Sequence, residues 1–334
     1  MSGEFDIIAR YFAPLATEEG AFGLEDDAAF IAPYVMTKDV LVEGVHFLSK
    51  DPLDLVAKKA LRVNLSDLAA KGARPAGYLL GCVWPRGVKE EAIAAFARGL
   101  SEDQEAFRVS LFGGDTTAHR AKGAPLTISV TMFGAAASAG VTRRNGARVG
   151  DDVYVTGTIG DAGLGLRALT GVIKPGVNAR KFLIERYRLP MPRLGAGSAL
   201  SGLATAAIDV SDGLFADAGH IAETAGVGID IAAEKIPLSA AVSDWLNAQV
   251  DRSMAIADLA SMGDDYEILF TAPQARRRSI EMAAQLTKTS IVRIGIVTRS
   301  GGVRLTSGSG EAIDAPDQGW DHFKSRENGR SDRI

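Results

Sequence analysis

Six aspartates sit where a carboxylate is hard to accommodate: Asp27, Asp39, Asp67, Asp115, Asp209 and Asp212. They lie in GLEDDAAF, TKDVLVEGVHF, RVNLSDLAAKGA, LFGGDTT and IDVSDGL, at strand ends or on the apolar seam of a helix. Burying an ionised carboxylate is costly unless it is paired or coordinates a metal. No basic motif follows these acids closely enough to neutralise all of them. Several hard divalent cations, magnesium first among them, are the economical explanation. Magnesium held by a few acids keeps positions for waters and substrate phosphates. The pattern points to phosphoryl chemistry.

Asp67 is the most telling of the six. Val56, Ala60, Val63 and Asp67 share one helical face, and Leu61, Leu65 and Leu68 make the rest of that turn apolar. A backbone group or an arginine would also satisfy it, but the acids that end strands elsewhere favour a metal.

The length of 334 residues suits two domains, and 46% hydrophobic residues suffice for sizeable cores. A formal net charge of −4 disfavours nucleic-acid binding through the chain's own charge. The single cysteine, Cys82 in YLLGCVW, excludes an internal disulfide and suits a reducing cytoplasm. The opening MSGEFDIIARYF carries Glu4 and Asp6 and lacks an apolar signal core. With no run of about 18 apolar residues, no membrane span is expected. The expected location is the cytoplasm.

Strands and helices alternate along the first part. Strands are predicted at 28–31, 34–42, 78–84, 109–112 and 125–134, and helices at 52–71 and 90–107. The 109–112 strand should stop at Gly113-Gly114. The polar stretch from Thr142 to Gly150 is the expected domain boundary, dividing 1–145 from 146–323, with a polar tail over 324–334. The second part has predicted strands at 152–156, 206–210, 228–231, 267–271 and 291–297, helices at 179–187 and 215–224, and a glycine-rich loop at 157–165.

Gly113-Gly114-Asp115 would let a backbone approach a phosphate, although an ordinary strand-ending turn is the better explanation of the motif taken alone. In Ile208-Asp209-Val210-Ser211-Asp212-Gly213 an N-cap accounts for Ser211 or Asp212, but not for both together with Asp209. GTIGDAGLG lacks the Lys-Ser or Lys-Thr of a P-loop and reads as a glycine-rich turn. The histidines are scattered, and His46, close after Asp39, is the one to watch. No nucleophile elbow and no protein-kinase signature is present.

Together the motifs resemble the thiamine-monophosphate kinase family, within the superfamily of aminoimidazole ribonucleotide synthetase and selenophosphate synthetase. The resemblance is carried by DDAAF, the T-x-D segment before VEGVHF, KALRVNLSDLAAKGARP, GGDTT, RVGDDVYVTGTIGD, IDVSDGL, GDDYEILFT and the late GWDHF. It implies an α/β fold in which the N-terminal α/β domain pairs in a homodimer to form a β-barrel. A C-terminal α/β domain would lie over the active-site cleft. It further implies ATP-dependent phosphorylation of thiamine monophosphate to thiamine diphosphate, the last step of thiamine diphosphate biosynthesis, with several magnesium ions. Asp27, Thr37, Lys38, Asp39, Asp67, Asp115, Asp209 and Asp212 match metal-site positions. Gly114, Asp115, Arg144 and Ser211 match ATP-contacting positions, and His46, Asp264 and Trp320 match positions on the thiamine phosphate.

Three departures stand out. Glu25 replaces a glycine in the first acidic motif, Lys38 replaces a small hydroxyl residue, and Asp264 stands where glutamate is common. Lys38 is tolerable if that position acts through its backbone carbonyl, and its ammonium is otherwise a stand-in for a metal's charge. Among rival readings, a selenophosphate synthetase would want a reactive cysteine near the N-terminus. VEGVHF and GWDHF argue against an aminoimidazole ribonucleotide synthetase. The intact acid set argues against a non-catalytic sensor of thiamine phosphates.

Overall fold

The computed structural model describes residues 4–308 and 310–313; Trp320 and the tail lie outside them. A short helix α1 (Glu4–Ile7) precedes β1 (Ala29–Ile31), β2 (Tyr34–Val42), α2 (Leu53–Ala70), β3 (Arg74–Trp84), α3 (Glu90–Phe107), β4 (Ser110–Ala118) and β5 (Thr127–Ala135). These strands form one sheet in the order β1-β2-β5-β3-β4. β3 and β4 are parallel, with α3 as their crossover, and the other pairs are antiparallel.

The sheet has one covered face and one bare face. In β5, Ile128, Val130 and Met132 are fully buried and alternate with half-exposed residues. The buried row packs on α2 and α3 through Leu61, Leu65, Leu68 and Phe96. The opposite face carries Tyr34, Val40 and Leu79, each 44% exposed, and Phe112, 65% exposed. Ile8 and Phe12 share an open cavity with Met36, Lys38 and Thr131 at one side of it, and the five strands do not close into a barrel within one chain.

β4 corrects the expected stop at Gly113-Gly114, because the strand runs on to Ala118. Gly114 is needed for that pairing: a Cβ there would lie 1.8 Å from the Leu80 carbonyl oxygen of β3. Register against β3 shifts between Tyr78 and Leu79, leaving Phe112 as an extra residue on the bulged strand.

The second sheet is built from β6 (Asp152–Thr156), β7 (Ala206–Asp209), β8 (Gly228–Ala232), β9 (Ile268–Ala272), β10 (Ile291–Thr298), β11 (Gly302–Thr306) and β12 (Ala312–Ile313). Its order is β12-β11-β8-β10-β6-β9-β7. The intervening helices are α4 (Asp161–Leu169), α5 (Val177–Arg188), α6 (Leu194–Leu200), α7 (Leu214–Ala225), α8 (Ala240–Asn247), α9 (Arg252–Ala260) and α10 (Arg277–Thr287). One face holds a core of Val153, Val155, Ile208, Leu214, Ile229 and Leu269. The other packs Tyr154, Ala207 and Phe270 on Leu200 of α6 and Ala69 of α2.

α2 therefore lies between the two sheets and is buried nearly all round, including Asn64 and Ser66. It ends at Lys71, followed by Gly72 in the left-handed conformation that closes many helices. The expected glycine-rich loop is shorter than 157–165, since α4 already begins at Asp161. Gly165 serves helix packing, as a Cβ there would meet the Leu183 carbonyl oxygen of α5 at 2.1 Å. The N-terminus of α4 is filled by the chain's own Asp265, which accepts from Gly160 N at 2.6 Å and Ala162 N at 3.1 Å. That explains why the stretch is no phosphate loop. Among the described residues no helix is long and apolar enough to cross a membrane.

Candidate functional site

Both sheets deliver acids to one place. The loop before β1 brings Asp26 and Asp27, β2 brings Thr37 and Asp39, α2 brings Asp67, and the end of β7 brings Asp209. Carboxylate oxygens of Asp27, Asp67 and Asp209 lie within 4.8 Å of one another. The Thr37 hydroxyl donates to Asp67 and lies 3.2 Å from the Asp27 carbonyl oxygen. Asp39 Oδ2 is buried with no hydrogen-bond partner.

The chain neutralises only half of this cluster. Lys71 contacts Asp26 and Asp27, Arg144 pairs with Asp27, and Arg143 lies 3.5 Å from Asp26. Among the described residues no ion pair reaches Asp39, Asp67 or Asp209. The two halves titrate in opposite directions. Burial works to raise Asp27, but Arg144 and Lys71 outweigh it and hold the carboxyl low. Burial, joined by the Asp27 charge, pushes Asp39 up to about 6. Burial, with the charges of Asp27 and Asp39, pushes Asp209 to about 7. Asp67 is raised well above the usual range by burial and by all three neighbouring acids. Oxygen-only donors, an orphaned buried carboxylate oxygen and uncompensated negative charge fit a hard divalent cation such as magnesium.

These directions imply a pH signature for the metal-free protein. Asp39, Asp67 and Asp209 hold protons more firmly when folded, so their stabilising contribution is complete below their unfolded value of 3.8. It is lost as pH rises through about 6 for Asp39 and about 7 for Asp209. Asp161, Asp217 and Asp265, also raised by burial, act with the same sign. His220 acts oppositely: burial, then the Arg144 charge, lowers it to about 4, and its contribution is complete above 6.5. Above pH 6.5 we expect stability to fall in EDTA and to fall less in excess magnesium, because ions bind the deprotonated acids. Melting curves across that range check this, and parallel curves in the two buffers would contradict it.

A second group surrounds the turn into α7. Oxygens of Asp212 and Asp217 and a ring nitrogen of His220 lie within 4.8 Å of one another. Asp217 Oδ2 accepts from the backbone N–H groups of Ser211, Asp212 and Gly213 at 3.1, 3.2 and 3.1 Å. It thereby fixes the loop that presents Ser211 and Asp212. Sequence reasoning missed Asp217, although the signal was the same as for Asp67: it shares the buried face of α7 with Leu214, Ala218, Ile221 and Ala222.

The GDDYE segment divides its acids. Asp265 caps α4, and Glu267 is buried against Arg186, Arg193 and Thr156. Asp264 accepts from Lys59 Nζ at 3.2 Å, and the same ammonium donates to the His46 carbonyl at 3.0 Å. Lys59, another residue the sequence did not single out, thus joins His46 to Asp264. Asp264 N bonds the Ser211 carbonyl at 2.8 Å, which ties this segment to the Ser211 loop.

Two expected site residues stand apart. Lys38 turns its ammonium to Ser129 Oγ at 2.5 Å on the bare sheet face. Its side chain therefore does not stand in for a metal at the cluster, and only its backbone remains for that task. Asp115 is exposed, and the register row Val40–Ser129–Gly81–Asp115 puts it on the same bare face. Gly114 precedes it on β4. Arg144 is engaged with Asp27 rather than directed at open space. Trp320 lies outside the described residues.

Residues 25–136 match the family model for the AIR synthase related protein N-terminal domain, and 148–308 match its C-terminal domain. The chain is 41% identical to a thiamine-monophosphate kinase of Caulobacter vibrioides, covering 96% of this chain and 90% of the relative. It is 36% identical to one of Escherichia coli K12, covering 96% and 98%. A solved structure described as AaThiL complexed with AMPPCP and TMP superposes with a TM-score of 0.83 at 30% identity, over 96% of this chain and 97% of that one. The thiamine-monophosphate kinase of Stenotrophomonas maltophilia K279a gives a TM-score of 0.75 at 36% identity, over 92% and 97%. Fold and domain models alike define an AIR synthase-related protein. Within that group the chain belongs to the thiamine-monophosphate kinase family of phosphoryl-transferring enzymes.

Proposed function

We propose that the protein transfers the γ-phosphoryl group of ATP to the phosphate of thiamine monophosphate, giving thiamine diphosphate and ADP, the last step of thiamine diphosphate formation. The observation that carries this reading is the acid cluster in which Asp39 of β2, Asp67 of α2 and Asp209 of β7 lie beside Asp27 with no ion pair of their own among the described residues. The names of the relatives and the AMPPCP and TMP of the similar structure support both substrates. Magnesium held by Asp27, the Thr37–Asp39 segment, Asp67, Asp209 and Asp212 would screen the phosphates and favour in-line transfer. Lys38 would contribute through its backbone. Arg144 and Ser211 would face ATP, while His46, Asp264 and Trp320 would hold the thiamine phosphate.

The acceptor phosphate, with a second pKa of about 6, is mostly a dianion at neutral pH and needs no general base. We accordingly assign no proton-transfer residue. The chain's own part is to bring two like-charged phosphates together in fixed geometry. An open cavity of about 520 Å³ beside Asp26 and Asp27, lined by Ile8, Phe12, Leu24 and Met36, is a fitting place for a nucleobase.

We further take residues 1–145 and 146–323 as the two domains. A second copy would cover the bare sheet face, with the two sheets forming a barrel between them. Asp115 and Gly114 would then serve across that interface rather than within one chain. Light scattering should find two chains per particle, and a fully active monomer would count against this. Cys82, raised to about 11 by burial, is an inert thiol that suits the cytoplasm.

Turnover followed by phosphorus NMR tests the reaction. Incubation with ATP, magnesium and thiamine monophosphate should yield ADP and thiamine diphosphate in equal amounts. ATP hydrolysis without diphosphate, or binding without turnover, would overturn the proposal.

A further inference from the structure

Lys71 closes α2 one turn beyond Asp67, and its N–H bonds the Asp67 carbonyl at 3.0 Å. Its side chain is completely buried. Nζ lies 2.5 Å from Asp26 Oδ1 and 2.5 Å from Asp27 Oδ2, and donates to the Ala207 carbonyl at 2.8 Å. An ammonium has three donors and no acceptor, and this one meets three oxygens: it donates to the Ala207 carbonyl and pairs by charge with Asp26 and Asp27. They come from two further elements: the loop before β1 gives both carboxylates, and β7 gives the carbonyl two residues before Asp209. The arrangement is the oxygen shell of a hard cation with a lysine at its centre.

We propose that Lys71 is a built-in cation of the acid cluster: its ammonium fills a position on Asp26 and Asp27 that a divalent ion would otherwise take. External ions are then recruited to the opposite side of Asp27, where it meets Asp67 and Asp209, and to Asp39. This rests on the reading that the cluster takes divalent cations. The fixed charge also keeps the Asp26–Asp27 loop docked on α2 and β7 before any ion binds. Lys71 is thus a positioning residue, acting on substrate phosphates only through the acids and ions it arranges.

Counting manganese ions tests this. With AMPPCP present, Mn2+ bound per chain is measured from the loss of the free-ion EPR signal, for wild type and Lys71→Met, whose side chain is unbranched and similar in length. The variant should bind one more ion per chain than wild type, and its melting deficit in EDTA should close as magnesium is added. An unchanged count would overturn the proposal. Where the variant does not fold in EDTA, refolding restored by magnesium supports it, and failure at every magnesium concentration overturns it. Wild type binding no manganese at the cluster would overturn the underlying reading as well, which separates the two failures.

Discussion

Asp67→Asn should abolish phosphoryl transfer while leaving the fold intact. The amide oxygen can still accept from the Thr37 hydroxyl, so the local packing of α2 against β2 survives. What is lost is a charged ligand at the centre of a cluster whose other uncompensated members are Asp39 and Asp209. We expect kcat to fall by at least about 1,000-fold, or about 4 kcal/mol in the barrier. The metal-free protein should meanwhile melt at a higher temperature than wild type, because one of several mutually repelling carboxylates is gone. Activity assays at saturating magnesium paired with melting curves in EDTA check both halves. Wild-type turnover would remove Asp67 from the site, and a large loss of stability would make its role structural.

Glu267→Ala should have the largest effect on folding. Its carboxylate accepts from Arg193 at 2.6 and 2.5 Å, from Arg186 at 2.9 Å and from Thr156 at 2.7 Å. The glutamate is completely buried, and the arginine side chains are only 13% and 21% exposed. Truncation leaves two guanidinium groups without their buried carboxylate, and breaking a buried pair in this way costs about 3–5 kcal/mol. The loss should reach the site, because the Glu267 carbonyl accepts from Val210 N, next to Asp209. Chemical denaturation measures the effect, and an unchanged midpoint would show that the arginines find other partners.

The sequence was most legible where one element decides the outcome alone. The 52–71 pattern came within a residue of α2 at each end, and Glu90–Phe107 matched α3. An acid on an apolar seam located Asp67 because helical periodicity needs no tertiary knowledge. Lys71 and Lys59 escaped notice because a buried lysine is meaningful only through oxygens brought from elsewhere in the chain. Asp115 shows a subtler limit. Without the bulge at Phe112 the residue would pair with Cys82 on the covered face, but one extra residue turns it to the bare face opposite Gly81. A strand's sequence does not reveal such a slip. Short elements packed by context, such as α6, α8 and α9, also went unread.

Diffraction from crystals soaked with Mn2+ and AMPPCP, at a wavelength where manganese scatters anomalously, would locate the ions in the acid cluster. Anomalous peaks are expected at coordination distance, about 2.0–2.3 Å, from oxygens of Asp39, Asp67 and Asp209. No peak is expected between Asp26 and Asp27, where the Lys71 ammonium sits. Phosphates bound with no metal on those three acids would contradict the proposed metal site.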